Sequence, residues 1–221
     1  MKPTILKAAL IGVAVISLTG CATKLDTVAM QDVASLKAAS GSLKTVSEPA
    51  PDLLHSQSSK AGFGLLGAAA NISAGKKLVE NGVLTDPSLT VEAKLSDYIA
   101  SRSGLTKSSA ITYETRKEVP DVPTNEGGYV VDAETVVWGL NYFPLGWTSY
   151  QTYYTGNVRL IDPEGEVVAA TNCEYKYPET KEESPEYDVL VSGGGVVMQE
   201  NLQLLANKCV EKFKSETLSG F

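Results

Sequence analysis

The sequence predicts an α+β fold of two layers: an antiparallel β-meander covered by helices, one of them a long C-terminal helix. Three observations carry this expectation. Residues 129–143, 148–162 and 167–177 are rich in β-branched and aromatic residues, with short turn sequences between them. Consecutive strands joined by short turns make a meander, which can keep one face wet. Residues 85–104 and 194–217 instead repeat apolar side chains every three or four positions, the period of a helix face. Finally, 43% of the 221 residues are hydrophobic, enough for one core.

The first element is the amino-terminal segment. Lys2 and Lys7 give a basic start, and residues 8–18, AALIGVAVISL, form an apolar run too short to span a bilayer. The run ends in Leu18-Thr19-Gly20-Cys21, after which the chain turns polar. This stretch resembles the lipobox of bacterial lipoproteins. The resemblance implies a signal peptide over 1–20, cleavage before Cys21, a diacyl (palmitate-type) lipid on its sulfur and acylation of the new amine. Several acyl chains anchor stably where one holds only marginally. Residue 22 is Ala rather than the Asp that retains Gram-negative lipoproteins at the inner membrane. The resemblance therefore implies the outer membrane, with the protein facing the periplasm.

Residues 21–60 are rich in Ser, Ala, Lys and Thr, contain Pro49 and Pro51, and lack aromatic side chains. They read as a lipid-anchored tether, with at most a short helix around Val28, Val33 and Leu36. The folded domain is expected over 61–221. It opens with a small-residue helix ending at Gly82. Gly62, Gly64 and Gly67 in it match a dinucleotide fingerprint by letter, but without the β-strand before them that the fingerprint needs. A second helix over 85–104 starts with the cap Asp86 and Pro87 and puts Val91, Leu95, Tyr98 and Ile99 on one face. A strand over 108–118 precedes the three long ones. An acidic loop, 178–187, leads to the last helix, where Met198, Leu202, Leu205, Cys209 and Phe213 form one stripe.

Charge excludes some partners. The chain carries −7, and removal of the signal peptide with its two lysines leaves −9. Nucleic acid is not an expected partner, because phosphate binding needs clustered Lys and Arg. No cofactor is expected, and no metal site: His55 is the only histidine and sits in the presumed tether, where a triad or zinc site has nothing to hold it. Glu164, Glu166 and Glu174 flank one hairpin, while Asp132 and Glu134 share a strand face; these are the carboxylates a hydrolase would draw on.

Two features remain. With Cys21 lipidated, Cys173 and Cys209 are left as a pair in an oxidising compartment. Cys173 shares the strand face of Val167, Ala169 and Thr171, and Cys209 lies in the helix stripe, so a disulfide between them is expected. The second feature is aromatic. Six rings crowd 142–154, and strand alternation forbids burying all of them. Tyr150 and Tyr154 fall on the core face, whereas Trp147, Tyr153 and Phe143 are the candidate contact surface for a periplasmic protein or a glycan. The expected protein is thus a non-enzymatic, outer-membrane-anchored binding or structural domain, such as an accessory subunit of an envelope assembly or export machine. A cell-wall hydrolase is the alternative.

Overall fold

The computed structural model describes residues 25–56, 64–80, 82–116, 120, 127–143 and 146–221. The expected signal peptide and Cys21 lie outside them. In chain order the elements are α1 (Val33–Ala38), β1 (Ser40–Ser47), β2 (Leu54–His55), α2 (Gly64–Glu80), α3 (Pro87–Ala100), β3 (Gly104–Lys107), β4 (Ile111–Thr112), β5 (Gly128–Phe143), β6 (Gly146–Ile161), β7 (Val167–Tyr177), α4 (Tyr187–Val191), a 3-10 turn and α5 (Val196–Thr217).

The three long strands pair antiparallel in sequence order, β5 with β6 and β6 with β7. Their alternation sends Val131, Ala133, Trp138, Leu140, Tyr150, Tyr154, Val158, Leu160, Ala169 and Cys173 to one face, where all are buried. A bulge between Thr135 and Val137 restores that parity, so that Thr135 and Trp138 both face inward. Gly156 is dictated by Tyr154: a Cβ there would collide with the phenol oxygen two residues back.

The sheet is larger than the expected meander, and mixed. Among the described residues it has seven strands, in the order β3-β1-β5-β6-β7, with β4 beside β1 and β2 beside β5. β1 runs parallel to both β3 and β5, and β2 parallel to β5. A purely antiparallel meander is therefore corrected, and so is the tether for its described part, 25–56, where Thr27, Val28, α1, β1 and β2 all join the fold that was expected to start at 61. β1 escaped notice because its apolar residues, Leu43 and Val46, are three apart. Leu43 faces the helices, whereas Val46 joins a small cluster with Val130 and Ile161. One strand thus serves two cores and shows no alternation.

Helices cover the Leu43 face. α3 starts where expected: Asp86 accepts the Ser88 amide at 2.9 Å, and Pro87 follows in the first turn. It packs Val91, Leu95 and Ile99 onto β1 and β5 with zero exposure. α5 lies over β6 and β7 and against α3, burying Met198, Leu202, Leu205, Cys209 and Phe213. α1 is only six residues; Val28, expected on its face, is instead bridged to Ala170 of β7. Among the described residues of the expected strand over 108–118, only Ile111–Thr112 pair as a strand, and the four-residue β3, a short turn after α3, was not foreseen.

Candidate functional site

At the β5–β6 hairpin end the rings form a continuous stack running from the interior to the surface. His55 packs tilted on Tyr187 at 5.2 Å, Tyr187 on Tyr150 at 5.4 Å, Tyr150 edge-on to Tyr142 at 6.3 Å, and Tyr142 flat against Trp147 at 5.3 Å. Alternation places Tyr142 and Tyr150 on the helix-covered face, and α4 supplies Tyr187 from above. Trp147 ends the stack and is 57% exposed, the most exposed large hydrophobic side chain among the described residues. Offset and edge-on pairs of this kind are the favoured arrangements of neighbouring rings.

The three candidate contact residues do not form one patch. Trp147 stacks on the face of Tyr142, whereas Tyr153 pairs with Gly139 on the opposite face of the sheet. Tyr153 is partly covered, and burial pushes its hydroxyl up to about 12. Phe143 is also only partly exposed. Of these three, only Trp147 is exposed. His55 is not a tether residue either. It lies on β2, 2% exposed, because β2 docks on β5 at Gly139 and Leu140. Gly139, at φ +154°, is what lets the Leu54 backbone come so close.

A second polar assembly was missed from sequence. β1 leaves β5 after Thr45 and Val131, and β2 rejoins β5 only at Gly139. Along this split, side chains take the place of a strand. Glu92 of α3, 4% exposed, accepts the Ala133 amide at 3.2 Å, and the Trp138 indole donates to the Pro51 carbonyl at 2.8 Å. Thr135 donates its hydroxyl to Asp86, which also caps α3. Burial raises the Glu92 carboxyl to about 9, against the opposing pull of hydrogen bonds from the Ala133 and Val46 amides. Glu92 therefore carries a proton at neutral pH. It lines a groove of about 380 Å3 between α3 and β1, together with Thr45, Ser47, Ser96 and Ser108.

On the other sheet face, Arg116 clasps Glu48 at 3.1 Å and Glu134 at 2.8 Å, and Asn157 donates to Glu134 at 3.4 Å. Arg159 holds the buried Asp132 with an Nε–Oδ2 distance of 2.7 Å. Burial raises Glu48 to about 7 and also raises Asp132, although Arg116 and Arg159 pull the other way. Glu164, Glu166 and Glu174 lie exposed, apart from these groups. Among the described residues no group of three or more His, Cys, Asp or Glu is placed to hold a metal.

Cys173 of β7 and Cys209 of α5 are disulfide-bonded, with Cα atoms 5.5 Å apart; Cys173 shares the core face with Ala169 as expected, whereas Val167, expected on the same face, lies past a register shift and packs with Val46, Val130 and Ile161. No described helix is long and apolar enough to cross a membrane. No family model matches the chain, and no curated protein matches it in sequence.

Proposed function

We propose that this protein is an exported lipoprotein, anchored through Cys21 in the outer membrane, whose domain binds a periplasmic protein or glycan through Trp147 rather than catalysing a reaction. One observation supports this reading above the others: an indole is 57% exposed at the end of a continuous ring stack. Exposing a large apolar surface is unfavourable in itself, and an indole ring with one apolar face and one polar edge suits a partner surface or a sugar ring. The buried Cys173–Cys209 disulfide agrees with an oxidising compartment, as does the lipobox resemblance. The acidic balance of the chain leaves anchoring to the lipid. An accessory role in an envelope assembly or export machine fits this layout. The test is crosslinking in intact cells from a photoreactive residue at 147. Adducts that vanish when the probe is moved to buried position 138 support the reading; a probe at 147 that captures nothing overturns it.

A specific observation favours a second reading. A carboxyl that keeps its proton at neutral pH beside a groove has the state a general acid needs, and Glu92 has it. A hydrolase would then work from Glu92 and not from the exposed carboxylates of the β6–β7 hairpin. Release of soluble fragments from purified cell wall, lost in Glu92→Gln with the fold intact, would establish it.

A further inference from the structure

Resting on the lipid-anchor reading, we infer that the β7 edge of the sheet lies side-on against the bilayer. The N-terminal segment is knitted to this edge from its first described residues. The hydroxyls of Thr27 and Thr171 meet at 3.3 Å. Val28 and Ala170 exchange two backbone hydrogen bonds, of 2.8 and 2.9 Å. The Met30 amide then donates to the Thr217 carbonyl at the end of α5, at 2.9 Å, and Lys37 donates to the Gly220 carbonyl at 2.7 Å. The chain between a lipidated Cys21 and the first tied residue, Thr27, is therefore a few residues long. Fully extended it reaches at most about 20 Å.

That reach is comparable to the width of the sheet. β7 is one edge and β3 the other, four strand spacings or about 19 Å apart. The leash bounds the distance of the β7 edge from the headgroups and leaves β3 unbounded over a further sheet width, so that, averaged over the allowed positions, β7 and the C-terminal half of α5 lie nearer the bilayer than β3 does. The near side suits a polar interface. Tyr177 is 38% exposed, and Lys208 and Lys212 project from α5 toward β7, Lys212 donating to the Asn172 carbonyl at 2.7 Å. Glu179 and Glu216 pair with these lysines, so the orientation comes from the leash and not from net charge. The placement also shields the backbone of β7 beyond Thr171, which has no outer strand partner among the described residues and is otherwise an invitation to strand pairing.

The experiment uses full-length lipidated protein. Its native cysteines are taken up by lipid and disulfide, so one introduced thiol can be labelled with a fluorescent donor, at Lys176→Cys on β7 or at Thr106→Cys on β3. Each protein is reconstituted into phosphatidylethanolamine–phosphatidylglycerol vesicles containing an acceptor-labelled headgroup. Energy transfer should be clearly stronger from 176 than from 106, and a long Gly/Ser insert after Lys24 should abolish the difference. Equal or reversed transfer in protein that floats with the vesicles overturns the side-on placement and leaves the anchor reading standing. Protein that does not float overturns the anchor reading, and this inference with it.

Discussion

The backbone amide of Ala133, in the middle of a sheet, donates to the side chain of Glu92 on a helix. Where β1 peels away, α3 supplies the acceptor that a neighbouring strand would have given. A carboxyl in that position satisfies a buried N–H, whose loss of a partner costs about 1–3 kcal/mol.

The first prediction follows from the protonation of that carboxyl. Its folded pKa, about 9, lies above the ordinary value of 4.5, so the folded state binds a proton that the unfolded state releases. This contribution is fully present below about pH 4.5, falls by about 1.4 kcal/mol per pH unit as pH rises, and is gone above about 9. Glu48, raised to about 7, acts in the same direction up to that pH. Urea unfolding should show stability falling from pH 5 to 9. Glu92→Gln should flatten most of the slope, whereas Glu92→Ala should lower stability at every pH. A wild-type profile that rises toward pH 9 would show that the carboxyl is ionised in the fold.

The two tryptophans should behave oppositely. Trp138 is 1% exposed and bonded to Pro51, so Trp138→Ala should cost about 3–5 kcal/mol. Trp147→Ala should change stability by less than about 1 kcal/mol and abolish partner capture. Adding Tyr153→Ala should cost further stability, because that ring is partly covered. Denaturant unfolding of the three variants checks the order.

The Cys173–Cys209 bond closes a loop with a sequence separation of 36. In the chain-entropy account its removal by Cys173→Ser with Cys209→Ser should cost about 4 kcal/mol. The pair sits in the shared core of β7 and α5, so the reduced protein should loosen there first. Hydrogen exchange at α5 amides, with and without reductant, measures this; protection unchanged on reduction would contradict it.

Cys21→Ala should abolish acylation. Mass spectrometry of the N-terminal peptide from membrane-extracted protein should show acyl chains on wild type and none on the variant. Palmitate incorporation by the variant would disprove the lipobox reading.

The elements whose signals are local were legible in the sequence. β7 spans the expected residues, and β5 and β6 shift only at their ends. α3 announced itself through Asp86-Pro87, and α5 through its apolar stripe. The disulfide followed from strand parity and helix face together. What was hidden depended on partners far along the chain. β1 looks like a tether because a strand that turns Leu43 one way and Val46 the other has no period to read. His55 looked like part of a tether because the groups that bury it, β5, Tyr187 and α2, all lie further along the chain. Glu92 carried no signal, since an acid on a helix is ordinarily solvated; only the split between β1 and β2 makes it a core residue. Trp147 was recognised from ring crowding, but the hairpin geometry that parts it from Tyr153 was not.

The position of β1 bears on how the chain reaches this state. Its registers join Ser40 to Gly104 and Ser42 to Gly128, parallel pairings that no local turn can nucleate. The segment nearest the amino terminus, first to emerge in any vectorial process, therefore waits for strands made much later. The β5–β6–β7 hairpins can form early, but the barrier to completing the sheet is set by ordering long intervening loops, which slows folding relative to a simple meander. A chain built in this way stays open until its carboxyl-terminal half has arrived. If the chain is exported as proposed, an open form that lingers is one a narrow translocation channel can thread.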